Sequence, residues 1–136
     1  MTRTTVAVAL SIALAGAQSG CGPAADHTAT LTRLREAITT PIRDETQMED
    51  HNQLVENVVN AGALEGLRRY EVEERIGRGE ECGVRELCSS RHFLPTDWFY
   101  DVGRNATDPQ LPAGPTLLVG FDSTGIVDRA FYVTRR

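Results

Sequence analysis

Two apolar runs separated by a short polar turn, residues 116–121 and 126–133, stand near the end of the chain. The turn ends in Gly125, and glycine readily takes the left-handed conformation that follows a type I turn in a hairpin. That geometry pairs Asp122 with Ile126 and Phe121 with Val127. Alternation along the hairpin then predicts a core-directed face in which Arg129 is the odd member. The other members of this face are Leu117, Val119, Phe121, Val127, Phe131 and Val133.

The opposite face of the hairpin is also apolar, and Phe99 joins it from a strand predicted at residues 97–102. A sheet with one face in water shows polar residues on that face, so we expect something to cover this one. Two covers fit the sequence: an N-terminal helix carrying Leu31, Leu34 and Ile38, or a partner protein. The residues that would bind a partner are Phe99, Leu118, Ile126 and Tyr132.

Before the predicted strands, apolar residues recur at the spacing of α-helices. A first helix with an apolar stripe ends at Thr39-Thr40-Pro41, a second runs from near Asp44 to Gly62, and a short third covers residues 69–76. Residues 77–95 and 104–115 read as loops. This order predicts an α+β domain, with two or three N-terminal helices packed on a three-stranded antiparallel sheet that ends in a C-terminal hairpin.

The N-terminus has the pattern of a secretory signal. Arg3 gives a positive start, and the apolar run from Val6 to Ala17 is shorter than the roughly 20 residues that a membrane span needs. Ala15-Gly-Ala17 fits the general signal peptidase, whereas Ser19-Gly-Cys21 resembles a bacterial lipobox. We predict a lipoprotein-type signal peptide over residues 1–20, a tether over 21–28 and a single domain over 29–136.

The cysteine count favours lipidation of Cys21, because Cys82 and Cys88 then remain as an even pair for a disulfide in an oxidising compartment. A zinc site of Cys82, Cys88 and His92 is the weaker interpretation, since the spacing is unusual and no fourth ligand stands nearby. A nucleophile–base pair of Cys88 and His92 lacks an orienting residue. We therefore predict no metal, no cofactor and no catalytic residue.

Composition excludes one class of partner. The formal net charge is -5, and the 14 basic residues, all of them arginine, form no cluster. Nucleic-acid binding proteins carry a basic patch or stripe, so we expect no nucleic-acid partner.

Three segments, in order, resemble the SmpA/OmlA family of bacterial lipoproteins. Residues 66–79 resemble a segment of the family that contains Glu-Val and ends in Leu-Gly-x-Pro. Trp98-Phe-Tyr100 resembles the tryptophan-x-tyrosine strand that follows in the family. Residues 121–127 resemble the family's closing hairpin, Phe-Asp-x-x-Gly-x-Val. The likeness covers roughly residues 66–133. Arg68 stands where the family has an N-capping threonine, and Gly79 where it has proline.

The resemblance implies a fold like that of β-lactamase-inhibitor proteins. It also implies a lipid-anchored, non-catalytic protein in the outer membrane, facing the periplasm and contacting an envelope protein, in the context of outer-membrane protein assembly or envelope maintenance. The alternative is a secreted inhibitor-like or cell-wall-binding module of the same fold.

Overall fold

The computed structural model describes residues 26–105, 107–108 and 110–135. The predicted signal peptide, most of the tether and the lipidation site Cys21 lie outside these residues. The elements, in chain order, are α1 (Thr28–Thr39), α2 (Glu45–Asn60), α3 (Arg69–Ile76), β1 (Glu80–Glu81), α4 (Glu86–Ser90), β2 (Trp98–Asp101), β3 (Thr116–Phe121) and β4 (Val127–Val133).

The strands form one antiparallel sheet in the order β1-β2-β3-β4. The protein is thus α+β, as predicted. The sheet has one strand more than expected, because β1 at Glu80–Glu81 pairs with β2. The helix α4 is also additional, and both elements lie in the stretch that we expected to be loop.

The local signals for the helix ends correspond to contacts in the structure. Asp44 caps α2, since its carboxylate accepts a hydrogen bond from the Gln47 N–H at 2.8 Å. Gly62, just after α2, has a φ of 64°, a left-handed conformation that suits glycine. Ahead of α3, the Glu71 carboxylate accepts from the Arg68 N–H at 2.7 Å, whereas an arginine side chain cannot accept a bond in return.

The main core lies between the sheet and the helices α1, α2 and α3. The predicted stripes of α2 and α3 are part of this core, and so are Trp98 and Tyr100 of β2 and Val102 just after it. Its fully buried members from the helices are Leu34, Val55, Val58 and Val72, and from the sheet Leu117 and Val119. No helix among the described residues is long and apolar enough to cross a membrane.

The hairpin turn has the predicted geometry. Asp122 donates its N–H to the Ile126 carbonyl at 2.8 Å, Gly125 has a φ of 81°, and Phe121 stands opposite Val127. A bulge between Gly120 and Phe121 then shifts the register by one residue.

Because a one-residue shift exchanges the two faces of a strand, the predicted faces are wrong for the later part of β4. Phe131 lies opposite Leu118 and packs on the second face, away from the helices. Tyr132 and Ala130 lie opposite Leu117 and Val119 and pack against the helix-side core.

The predicted intramolecular cover of the second face is also wrong. Leu31 and Leu34 of α1 belong to the helix-side core, with Ile38 packed against it, so α1 lies on the other side of the sheet. The second face is covered instead by residues 82–93, which include α4 and both cysteines. We call these residues the disulfide segment.

Candidate functional site

The disulfide segment closes the second face of the sheet with a small core of its own. Cys82 and Cys88 form a disulfide with their Cα atoms 5.9 Å apart, as predicted, and both are almost fully buried. They cluster with Phe93, Phe99 and Leu118. With the two sulfurs joined, neither is a thiolate that could bind zinc or attack a substrate. This pair is therefore structural in the oxidised protein.

Arginine side chains complete the cover by stacking on the aromatic rings of this face. The guanidinium carbon of Arg85 lies 3.8 Å from the ring centre of Phe99, and that of Arg91 lies 4.6 Å from the ring centre of Phe131. Such cation–π contacts leave the charged group at the surface while its plane shields the ring from water. Two of the aromatic rings on the second face thus each carry an arginine side chain.

A buried carboxylate joins the disulfide segment to the sheet. Asp97 is 1% exposed, and its two oxygens accept from the Phe121 N–H at 3.0 Å and the Leu94 N–H at 2.7 Å. Arg129 lies 3.4 Å from the same carboxylate and donates to the His92 carbonyl at 2.7 Å. A buried carboxylate with this many donors fixes the loop at residues 91–96 against the hairpin.

The four predicted partner-binding residues do not form one surface. Phe99 and Leu118 lie together beneath the disulfide segment, at 6% and 0% exposure. Tyr132 is half-buried on the opposite face, against the helix-side core. Ile126 is half-buried beside the hairpin turn, where it forms an isolated bridge with Arg68.

An open depression of about 700 Å³ lies at the end of the sheet that carries the hairpin turn. We call it the sheet-end depression. Four parts of the chain line it: the start of α3, the strand β1, the loop before β2, and the hairpin turn with the end of β3. Its lining residues are Arg69, Glu81, Leu94, Thr96, Phe121, Asp122, Ser123, Thr124 and Gly125.

Arg69 is held in place inside the sheet-end depression. Its guanidinium carbon lies 3.9 Å from the ring centre of Phe121 and 5.4 Å from that of Trp98, and it donates to the Thr96 carbonyl at 3.0 Å. Leu94 on the rim is 55% exposed. The depression therefore combines a positioned cation with an exposed apolar side chain.

The hairpin turn forms a stiff wall of the sheet-end depression. The Asp122 carboxylate accepts from the Thr124 hydroxyl at 2.7 Å, the Thr124 N–H at 2.8 Å and the Ile126 N–H at 3.1 Å. These hydrogen bonds, first of all that from the Thr124 hydroxyl, lower the pKa of Asp122 below its ordinary value. The turn is therefore ordered by its own side chains.

No group of three or more His, Cys, Asp and Glu side chains within residues 26–105, 107–108 and 110–135 is arranged to hold a metal ion. Burial raises the pKa of Tyr100, whose hydroxyl donates to the Gly77 carbonyl at 2.8 Å. This tyrosine therefore acts as a neutral donor that ties the end of α3 to β2.

Comparison of the chain with known proteins does not identify a family. No protein-family model matches the chain, and neither a curated protein nor a solved structure matches it.

The sequence did not predict the residues that hold the disulfide segment on the sheet or those that line the sheet-end depression. Arg129 gave a signal, because a lone arginine on an apolar hairpin face needs a partner, and Asp97 stands just before a strand. Nothing in the sequence distinguishes Arg69 from other helix residues or Leu94 from other loop residues. Their importance follows from the hairpin turn, which the fold brings beside them.

Proposed function

We propose that this chain is a lipid-anchored, non-catalytic protein of the bacterial cell envelope that acts by binding another envelope protein. The order of positive start, apolar run and Cys21 supports the anchor. The pairing of Cys82 with Cys88 supports an oxidising compartment, because disulfides persist in such compartments. Of the three cysteines in the sequence, Cys21 is then left for the lipid.

The resemblance to the SmpA/OmlA family supports the cellular context. Its three motifs fall on α3, on β2 and on the β3–β4 hairpin, which all contribute residues to the helix-side core. On this basis we place the protein in the outer membrane, facing the periplasm, with a role in the assembly of outer-membrane proteins or in envelope maintenance.

The observation that carries the proposal is the sheet-end depression. Leu94 is exposed on its rim, while Asp97 holds the loop that carries Leu94 through a hydrogen bond to the Leu94 N–H. The Arg69 guanidinium is held by two rings and by the Thr96 carbonyl. Within the described part of the chain only its Nη1 donates a hydrogen bond, so its other N–H groups are available to a ligand. An exposed apolar group on a rigid support loses little conformational entropy on binding.

The partner that fits this surface is a segment of an envelope protein with one apolar side chain and a nearby acceptor. The apolar group would pack on Leu94, and a carbonyl or carboxylate oxygen would accept from Arg69. Strongly acidic segments fit less well, because Glu81 and Asp122 also line the depression.

The anchor is tested by mass spectrometry of the protein extracted from membranes of its own host. We expect a mature chain that starts at Cys21 and carries acyl groups. The variant Cys21→Ser should be released from the membrane fraction. An unmodified chain beginning at Gln18, or membrane retention of the variant, would show that general signal cleavage occurs instead.

The partner is tested by affinity capture from detergent-solubilised membranes with the wild type and two variants. Leu94→Asp should abolish recovery of the partner, whereas Val84→Asp should not, because Val84 is equally an exposed aliphatic residue but lies outside the sheet-end depression. Recovery of a β-barrel assembly complex supports the proposed context. Recovery of an enzyme or of peptidoglycan supports the inhibitor-like or cell-wall-binding alternative.

A further inference from the structure

One carboxylate that lines the sheet-end depression, that of Glu81, belongs to the strand β1. Glu81 stands opposite Trp98 of β2, and directly opposed residues of an antiparallel pair project on the same face of the sheet. Glu81 therefore lies on the helix side, where the Arg69 guanidinium carbon is 5.4 Å from the Trp98 ring centre. Glu81 is exposed, and none of the salt bridges within residues 26–105, 107–108 and 110–135 involves its carboxylate.

The preceding residue on β1 has a different environment. Glu80 stands opposite Phe99 and so projects on the second face, where its carboxylate lies 2.9 Å from Arg85. Glu80 is not among the residues that line the sheet-end depression. The strand β1 thus places a paired carboxylate on the second face and directs the carboxylate of Glu81 toward the depression.

A second carboxylate, that of Asp122, lines the sheet-end depression from the hairpin turn. Its hydrogen bonds from Thr124 and Ile126 all end on Oδ1, and among the described residues none ends on Oδ2. Arg69 donates to the Thr96 carbonyl and forms no salt bridge with either carboxylate. Two carboxylates and one guanidinium therefore line the depression, which leaves one negative charge in excess.

The acidic and apolar parts of the depression are neighbours. The Gly83 N–H donates to the Pro95 carbonyl at 2.8 Å. The chain just after Glu81 therefore runs beside the loop that carries Leu94. Arg69 donates to a carbonyl of the same loop. An exposed apolar side chain, a hydrogen-bond donor and a carboxylate thus meet within a short stretch of the surface.

We propose that the partner segment carries a basic side chain beside its apolar one, and that this basic side chain pairs with Glu81. The inference rests on the proposed function, because it concerns the same depression. With the apolar side chain on Leu94 and a main-chain carbonyl on Arg69, a neighbouring lysine or arginine reaches the exposed carboxylate. Complementary charges across an interface select a partner, since a like charge at the same place is strongly disfavoured. Acidic segments are therefore rejected.

Selection from a random heptapeptide display library on the immobilised full chain, in its Cys21→Ser form, tests the charge of the ligand. We expect enrichment of peptides with lysine or arginine beside an aliphatic or aromatic residue. Enrichment should disappear on Leu94→Asp, because the peptides bind in the sheet-end depression. Leu94-dependent peptides of neutral or acidic consensus would overturn this inference and leave the proposed function standing. The absence of any Leu94-dependent peptide would contradict both.

Variants at position 81 test which carboxylate is responsible. For an enriched peptide whose binding is followed by fluorescence anisotropy, Glu81→Gln should raise the dissociation constant about two- to fivefold, the range of an exposed ion pair. Glu81→Lys should raise it more than about tenfold, because two cations then oppose each other. The matched control is Glu80→Gln, which removes a charge from the adjacent residue on the other face and should leave the dissociation constant unchanged.

Repeating the selection on Glu81→Lys gives the sharpest outcome. We expect aspartate or glutamate to replace lysine or arginine in the enriched peptides. Because Glu81 is exposed, the urea midpoint of each variant should match that of the parent protein, which verifies folding. The same basic consensus on folded Glu81→Lys, or equal weakening by Glu80→Gln and Glu81→Gln, would overturn the pairing.

Discussion

Removal of the buried carboxylate of Asp97 should destabilise the protein strongly. In Asp97→Ala the Phe121 N–H, which is buried, and the Leu94 N–H, which is part-buried, both lose their acceptor. A buried donor left without a partner costs about 1–3 kcal/mol. Arg129 adds little, because its side chain is 41% exposed and water can solvate it. We therefore expect a loss of about 3 kcal/mol in the free energy of unfolding.

A neighbouring carboxylate provides the matched control. Asp101 accepts from the Thr116 hydroxyl at 3.3 Å and lies 3.4 Å from Arg104, but its side chain is 26% exposed. These contacts are long and partly solvated, so Asp101→Ala should cost less than about 1 kcal/mol. The variant Asp97→Asn keeps one acceptor oxygen and should fall between the two alanine variants.

Urea unfolding followed by tryptophan fluorescence measures these differences on the Cys21→Ser protein. For an unchanged m-value of about 1–2 kcal/mol/M, the midpoint of Asp97→Ala should fall by roughly 2 M urea. A midpoint equal to that of Asp101→Ala would refute the reasoning, since it would mean that the Phe121 and Leu94 N–H groups have no need of the carboxylate.

Three further predictions concern other parts of the fold. Replacing both Cys82 and Cys88 by alanine should lower the free energy of unfolding by about 2 kcal/mol for so short a loop, and an unchanged urea midpoint would contradict this. Gly79→Ala should lower the melting temperature by several degrees, because its Cβ would lie 2.7 Å from the Trp98 Cβ, and a calorimetric scan that shows no change would exclude the clash. Since hydrogen bonding lowers the pKa of Asp122 in the folded state, its stabilising effect is full above the unfolded pKa of about 3.9 and is lost as the pH falls through the folded value. The Asp122→Asn variant should therefore lose less stability than the wild type when urea midpoints at pH 5 and at about pH 2.5 are compared, and parallel losses would disprove the contribution.

Helix ends and the hairpin turn were predictable because their signals are local. Asp44 and Gly62 bound α2, and Gly77 ends α3, through hydrogen bonds and dihedral angles that involve only a few neighbouring residues. The apolar stripes likewise predict which helix faces meet the sheet, since their period does not depend on the rest of the fold. The α+β class follows from these elements in order.

The two faces of β4 were not predictable in the same way, because one bulged residue reverses the alternation and leaves no mark in the pattern. The cover of the second face was missed for a related reason. Residues 82–93 contain few apolar side chains in any regular period. The disulfide, the Asp97 contacts and packing of Phe93 on the sheet hold them there. Long-range constraints of this kind are not visible in a periodicity.

In the candidate site, too, some features could be predicted from the sequence and others depend on long-range contacts. The disulfide followed from cysteine parity, whereas Arg69 and Leu94 face one depression only after α3 and the loop before β2 reach the hairpin turn. Four residues expected to contact a partner are instead distributed among the second-face core, the helix-side core and the hairpin turn. We therefore propose the sheet-end depression, and not those four residues, as the contact with a partner.

Site-specific photo-crosslinking in intact cells of the host tests the central claim most directly. A photoreactive phenylalanine analogue is placed at Leu94, on the rim of the sheet-end depression, and in a control at Val84, which is more exposed than Leu94 but lies outside the depression. The proposed function predicts a defined adduct with one envelope protein from position 94 and none from position 84. A folded, envelope-located protein that gives no adduct at position 94, or the same adducts at both positions, would contradict it.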